Sequence, residues 1–456
     1  MVSFKANRSD PELVVPALPT PRETKTLSDV DTQPALRFYA TGVEFFSRRP
    51  TIDGDDDHDQ PEDPAKAVKA ALAKVLVYFY PVAGRLRELA GGDEIVVECT
   101  GEGVVFVEAD ADVRLVEFGE PITPPYPCVD EFLCDAGDTN VIIGKPLLFM
   151  QVTRLKCGGF VIGTYSCHNM FDAFGHTQFL KAITDIARGD HDHPAVIPVW
   201  QRELLAARNP PNVTGLQHLV PSKTLTLLPT PWPLTDHDMV GKYFFFGPRE
   251  IASLRSHARL HQGSSSSTVF ELITAAMWKC RTVALGHAPD RKASLLITMN
   301  ARGRWKCDPP LPQGFYGNGF VYLVVETMAS ELCSSPSLDH AVELVQKAKL
   351  DMTEEFTKSM VDLIALHGGP PYVPGWTFVV SDITRIGVDA LDFGWAQRVG
   401  GGVPMVGDVK SKQVSYQMRC TNGSGEDCVV ASMFLPEPAM HTFAKEIFAL
   451  SSEIYK

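Results

Sequence analysis

The stretch Gly159-Phe-Val-Ile-Gly-Thr-Tyr165, continued by Ser-Cys-His168-Asn-Met-Phe-Asp172 and Ala-Phe174, decides how this chain is read. Gly159–Tyr165 is short, apolar and rich in β-branched and aromatic residues, so it predicts a strand. Leu147–Thr153 predicts a second strand, and Lys156-Cys-Gly-Gly between the two is a hairpin-like turn. From Phe174 to Arg188, residues Phe179, Leu180, Ile183, Ile186 and Ala187 recur at helical spacing. His168 therefore stands where a strand gives way to a helix, the kind of edge at which mixed α/β layers bind ligands. Imidazole is the natural general base near neutral pH. Read as structure alone, His168 is a hydrogen-bonded core residue and Asp172 caps the following helix. With 13 His in 456 residues, an H-x-x-x-D pair arises by chance roughly once, so the motif alone leaves both readings open.

Working outward, the first half mixes helices and strands. Asp63–Leu76 reads as a helix with Pro64 in its first turn and Val68, Leu72, Val75 and Leu76 on one face. Glu94–Cys99 and Gly103–Glu108 read as strands. From Asn209 to about Asp238 the periodicity fails between Asn209-Pro-Pro-Asn212 and Pro229-Thr-Pro-Trp-Pro233, which predicts a long connection. The second half repeats the mixture: strands at Lys242–Phe246 and Ala293–Asn300, helices at Pro248–Leu260, Ser267–Val283 and Leu338–Phe356, and a hairpin joining Val414–Arg419 to Cys428–Met433. Neither a phosphate-cradling G-x-x-x-x-G-K-S/T nor a G-x-S-x-G is present.

Composition narrows the classes. Apolar residues make up 45% and charged residues 21%, too apolar and too weakly charged for disorder. The net charge of −13 and the lack of a basic stripe argue against a nucleic-acid partner. Much of that charge falls in Asp53–Asp63, read as a solvated loop. The charge still permits an anionic small ligand held by a few local cations and N–H groups. Ten scattered Cys without a C-x-x-C pair read as reduced thiols in the cytosol, with no metal site. No secretory signal, membrane span or Ser-Lys-Leu tail is expected.

A second motif lies near the end. Asp392-Phe-Gly-Trp395 precedes a Gly-rich turn, and a buried Asp there needs a cation, for which Arg302 or Arg304 are the candidates. Taken together, His168-x-x-x-Asp172 and Asp392-Phe-Gly-Trp395 resemble the BAHD acyl-CoA-dependent acyltransferases of plants. Tyr80-Pro-Val-Ala-Gly-Arg85, Cys99-Thr-Gly-Glu-Gly103, Phe270-Glu-x-x-Thr-Ala-Ala-x-Trp278 and Phe315-Tyr-Gly-Asn318 also look like family blocks. Leu27-Ser-Asp-Val-Asp31, Val152-Thr-Arg-Leu-Lys-Cys-Gly-Gly-Phe160, Arg202-Glu-Leu-Leu-Ala-Ala-Arg-Asn-Pro-Pro211 and Phe244-Phe-Phe-Gly-Pro248 are similar to one branch, the benzyl alcohol O-benzoyltransferases.

The resemblance implies an α/β fold of two similar chloramphenicol-acetyltransferase-like domains. Residues 1–208 would form the first, 209–238 the crossover and 239–456 the second, with part of 360–400 packing on the first. A channel at their interface would hold His168 as general base. Asp172, Asp392, Arg302 and Trp395 would be structural at the site, with Asp392 paired to Arg302. Ser267, Thr268 and Ser381 would contact acyl-CoA, and Phe38, Phe171, Phe174 and Tyr316 would line a substrate pocket. Acyl-CoA, as benzoyl-CoA, would be a co-substrate rather than a resident cofactor, with benzyl alcohol as acceptor and benzyl benzoate as product. Acetyl or other acyl transfer to an aliphatic, terpenoid or taxane-like alcohol is the alternative, and a non-catalytic CoA-ester binder is the alternative of another class. A monomer in the cytoplasm, or in the peroxisome, completes the expectation. Ala396 departs from the family, which usually has Gly after D-F-G-W; an added Cβ would strain the loop if φ were positive there.

Overall fold

The computed structural model describes residues 2–50, 63–89, 94–189, 191–220, 239–258, 267–303, 309–373, 375–406 and 412–452. The acidic run at 53–62, most of the crossover (221–238) and the serines 264–266 lie outside the described residues. In chain order the first strands are β1 (Ala6–Arg8), β2 (Glu12–Val14), β3 (Thr24–Thr26), β4 (Tyr39–Arg48), β5 (Arg85–Glu88), β6 (Ile95–Glu98), β7 (Val104–Ala111), β8 (Leu148–Leu155) and β9 (Phe160–Cys167). They continue as β10 (Met239–Phe246), β11 (Lys292–Asn300), β12 (Phe320–Met328), β13 (Thr377–Asp382), β14 (Ala396–Gly402), β15 (Val414–Thr421) and β16 (Asp427–Pro436). The helices are α1 (Asp29–Thr32), α2 (Pro64–Tyr78), α3 (Ala173–Arg188), α4 (Pro248–His257), α5 (Val269–Ala284), α6 (Ala329–Cys333), α7 (Asp339–Leu350), α8 (Glu354–His367) and α9 (Glu437–Ser451).

The fold is mixed α/β, and the chain divides into two compact units, neither contiguous in sequence. The first holds Met1–Ala206, Pro309–Gly319 and Arg385–Ser411; the second holds the remainder. The first unit is built on a sheet of order β1-β7-β8-β9-β4-β14, with β2 also on β7. Both faces of its centre are covered. Phe160 and Ile162 of β9 and Tyr39 and Phe46 of β4 join the core beneath α2 and α3. Val161, Val43 and Phe45 join a second cluster with Phe118 and Phe132. That explains why β9 reads as a continuous apolar run rather than an alternation. Asp63 caps α2, accepting from the Ala65 N–H at 3.0 Å, and Pro64 occupies the first turn where no N–H is needed. The expected inward face, Val68, Leu72, Val75 and Leu76, is fully buried.

The second unit carries a sheet of order β10-β16-β15-β13-β11-β12, with the β11–β13 and β13–β15 pairs parallel. Its core gathers Leu272, Ala276 and Trp278 of α5 with Phe443 and Ile447 of α9. One expected element is corrected. The helix predicted from Leu338 to Phe356 is two helices, α7 and α8, because Thr353 ends the run and caps the second by accepting from the Phe356 N–H at 3.1 Å.

Candidate active site

His168 follows directly on β9. Antiparallel pairing sets Tyr39 of β4 opposite Cys167, so the residues just beyond, Phe38 and His168, meet at the end of the ladder. The His168 N–H donates to the Phe38 carbonyl at 3.0 Å, and the two rings lie 5.1 Å apart at 52°. Asp172 is the N-cap of α3. Its Oδ1 accepts from the Gly175 N–H at 2.8 Å and its Oδ2 from the Gly319 N–H at 2.9 Å. Asp172 thus fixes both the helix start and the segment after Asn318, the cap that the sequence allowed.

Beneath the turn lies a buried ionic cluster. Ser28 and Asp31 close a capping box on α1, and Asp31 has no exposed surface. Arg202, 1% exposed, donates from Nη1 to Asp31 Oδ1 and Oδ2 at 2.8 and 2.9 Å, and from Nη2 to the Met170 carbonyl at 2.9 Å. Its guanidinium also lies over Trp200, 4.4 Å from the ring centre. Asn318 donates its backbone N–H and its Nδ2 to Asp31 Oδ1, at 3.0 and 2.8 Å. The same Nδ2 donates to the His168 carbonyl at 2.8 Å, and Asn169 Nδ2 donates to the Asp31 carbonyl at 2.5 Å. Close backbone approach completes the arrangement. A Cβ on Gly175 would lie 2.0 Å from the Tyr316 carbonyl oxygen, and one on Gly317 would lie 1.8 Å from Arg202 Nη1. Sequence reading quoted the blocks that carry Asp31, Arg202 and Asn318 but gave none of these residues a role.

The imidazole is tuned by this setting. Burial pushes the His168 pKa below its ordinary value. Its own backbone, Asp172, the Asn318 side chain and Asp31 oppose that without cancelling it. At neutral pH the ring is therefore uncharged and able to accept a proton. Its Nδ1 is buried without a hydrogen-bond partner among the described residues. Burial drives the neighbouring Cys167 thiol up to about 12, and Cys99 and Cys134 up to about 11, so none of these is a thiolate nucleophile at neutral pH.

Asp392 pairs with Arg49 rather than with the expected Arg302. Arg49 Nη2 donates to Asp392 Oδ2 at 2.7 Å while its Nη1 donates to the Gly394 carbonyl at 2.8 Å. The reason is the β4–β14 pairing, which sets Ala396 opposite Arg48 and so carries Arg49 alongside the Asp392 turn. The Arg302 backbone N–H donates to Asn300 Oδ1 at 2.9 Å. Arg188 Nη2 also donates to the Asp392 carbonyl at 2.6 Å. Burial resists ionisation of Asp392, but the Gly394 N–H, Arg49 and Arg188 together hold its pKa below the usual range. Trp395 is buried against Phe160 and Phe393, 5.4 and 5.0 Å between ring centres. The left-handed residue of this turn is Gly394, at φ +80°, whereas Ala396 opens a strand, fully buried and without positive φ. Alanine is therefore unstrained there.

Phe171 and Tyr316 belong to the core of the first unit. Phe171 packs on Phe179, and Tyr316 lies between Phe79 and Arg202. Phe38 is 4% exposed and Phe174 is half-buried. In the second unit, Thr268 caps α5 in a reciprocal box with Glu271, Ser267 precedes it nearly buried, and half-buried Ser381 lies in β13 between Thr298 and Tyr416. Among the described residues no cluster of His, Cys, Asp or Glu could hold a metal, and no helix is long and apolar enough to cross a membrane.

The sequence profile of the Transferase family matches residues 5–450. Acyl transferase 1 of Oryza sativa subsp. japonica is 50% identical over 99% of this chain and 97% of its own length. Spermidine hydroxycinnamoyltransferase 1 of the same plant is 47% identical over 94% and 96%. The benzyl alcohol O-benzoyltransferase of Nicotiana tabacum is 44% identical over 97% and 93%. Among solved structures, vinorine synthase superposes with a TM-score of 0.71 at 22% identity, covering 98% of this chain and 99% of that one. TRI101 of F. sporotrichioides, solved with coenzyme A and T-2, does so with a TM-score of 0.69 at 15% identity, covering 91% and 96%. The chain therefore belongs to the Transferase family, and it is a BAHD acyl-CoA-dependent acyltransferase.

Proposed function

We propose that the chain transfers benzoyl from benzoyl-CoA to benzyl alcohol, giving benzyl benzoate and free CoA, with His168 as general base. His168 Nε2 takes the hydroxyl proton as the alcohol oxygen attacks the thioester carbonyl. The tetrahedral oxyanion collapses, the C–S bond breaks, and the imidazolium returns the proton to the departing thiolate. The observation that carries the reading is the uncharged imidazole on the strand-to-helix turn, its Nδ1 sealed off and its backbone gripped by Phe38 and Asn318. The named activity of the 44% identical tobacco relative supports the choice of acyl and alcohol. The poorly ionised thiol of Cys167 beside His168 supports a direct transfer without an acyl-cysteine, and the free cysteines support a cytoplasmic setting. The 47% identical rice relative favours a second reading, hydroxycinnamoyl transfer to a polyamine nitrogen.

The test is an incubation of purified protein with benzoyl- and hydroxycinnamoyl-CoA against benzyl alcohol, aliphatic and terpenoid alcohols and spermidine, scored for thiol release and product. Benzyl benzoate should form fastest, and His168→Ala should lose at least about 100-fold in kcat. Preferred acylation of spermidine would replace the first reading by the second. Product from no pair would favour a non-catalytic CoA-ester binder.

A further inference from the structure

Asn318 is fully buried, and both of its amide donations are committed, one to Asp31 Oδ1 and one to the His168 carbonyl, each at 2.8 Å. These acceptors decide which end of the amide is nitrogen. A flipped side chain would press its oxygen against a carboxylate and a carbonyl. Oδ1 is therefore the free end, and it is buried with no donor among the described residues. His168 Nδ1 is buried with no partner in the same sense, on the very residue whose carbonyl Asn318 holds. One orphan can only accept, and the other can carry a proton. Buried polar groups left unpaired are costly, and these two are complementary. The Asn318 side chain also counts among the groups that support the protonated imidazole against burial.

We propose that Asn318 is a positioning residue for the base: its Oδ1 and His168 Nδ1 are not bonded to each other in this structure, and a small turn of the imidazole lets Oδ1 accept the Nδ1–H, which fixes the tautomer that leaves the lone pair on Nε2. This rests on the reading of His168 as general base. The chain of support runs inward from Arg202 to Asp31, to Asn318 and to the imidazole, while Asp172 anchors the next residue, Gly319. The orienting group is a neutral amide, so it aims the ring without adding a carboxylate that would hold the imidazolium at neutral pH. The titratable and charged groups around the ring are Asp172 on its own turn, Asp31 of α1 with its partner Arg202, and His176 of α3, and all stay in place in the variants below.

Two measurements test the proposal. Nitrogen NMR of histidine-labelled protein, with the His168 signals assigned by their loss in His168→Ala, should show the Nδ1–H tautomer in the wild-type chain and a mixture in Asn318→Ala. In benzoyl transfer, Asn318→Ala should lower kcat roughly 10- to 100-fold with little change in either KM, and should move the acid limb of kcat/KM to lower pH. Asn318→Asp, which as a buried acid keeps the carbonyl acceptor and one donor, should recover part of the rate. An Nε2–H tautomer in the wild-type chain would overturn the proposal even if the variants fail to fold. So would a folded Asn318→Ala with unchanged kcat and acid limb. An Nδ1–H tautomer together with an active His168→Ala would instead sink the general-base reading and leave the hydrogen bond standing.

Discussion

Replacing Arg202 by Met removes two donations to Asp31 and one to the Met170 carbonyl and keeps an apolar stem of similar length. Asp31 has no exposed surface, so the loss strands a carboxylate that cannot reach water. Four donations remain, from the Ser28 N–H and hydroxyl at 3.1 and 2.7 Å and from Asn318 at 3.0 and 2.8 Å, but no cation does. Breaking a buried pair on one side costs about 3–5 kcal/mol. For a unit of roughly 240 residues that lowers Tm by about 6–20 °C. Asp31→Asn should cost a comparable amount by stranding the guanidinium. The double variant has neither charge to strand and should be more stable than the two single losses added together, with a coupling of about 1–3 kcal/mol. Thermal melts and urea midpoints of the four proteins close the cycle, and kcat on benzoyl transfer should fall alongside. Single losses below about 0.5 kcal/mol, or strict additivity, would refute the assignment of this pair as the anchor of the His168 turn.

Other outcomes follow from the same geometry. Gly175→Ala would drive a Cβ into the Tyr316 carbonyl, a contact of backbone with backbone, and should cost about 1–3 kcal/mol in melts while also lowering kcat; a silent variant would contradict the close packing of α3 on residues 315–319. Ala396→Gly should lose about 0.5–1 kcal/mol and gain no rate, since the residue sits unstrained in a strand; a faster enzyme would show that alanine obstructs the site. Burial lowers the pKa of His168 and drives those of His176 and His287 down to about 4. The sign follows from linkage: below about pH 6.5 the unfolded chain takes up protons that the folded chain refuses, so stability is fullest above that pH and declines toward pH 4. Likewise kcat/KM should be flat above about 6.5 and fall only at lower pH; an acid limb above 7 would disprove the depressed imidazole.

Much of the fold was legible because its signals are local. The strand-turn-helix around His168, the inward face of α2 and the hairpin β15–β16 follow from spacing and turn chemistry within a dozen residues. β4 was not read, because Gly42 and Glu44 interrupt its apolar pattern; Glu44 is nonetheless buried, paired with Arg398 of β14 at 2.5 Å. That compensation comes from a residue 354 positions away. The partner of Asp392 was misassigned for the same reason: Arg49 is 343 residues distant and meets it only through strand pairing. His168 and Asp172 stood out by motif, whereas Asp31, Arg202 and Asn318 act through mutual contact, and nothing local in their sequence marks a carboxylate as buried.

The spacing of those contacts bears on how the chain is made. Asn318 reaches Asp31 across 287 residues. At a synthesis rate of about 5–20 residues per second, the first unit must wait on the order of 15–60 seconds for the segment that braces its His168 turn. β14 arrives later still, so β4 emerges with one edge open over Val43–Arg48, whose hydrogen-bonding partner has not yet been translated. A nascent chain with an apolar strand open on one edge is prone to wrong pairing. Prematurely terminated products that stop short of residue 396 should accordingly need chaperone protection or precipitate more readily than the full chain.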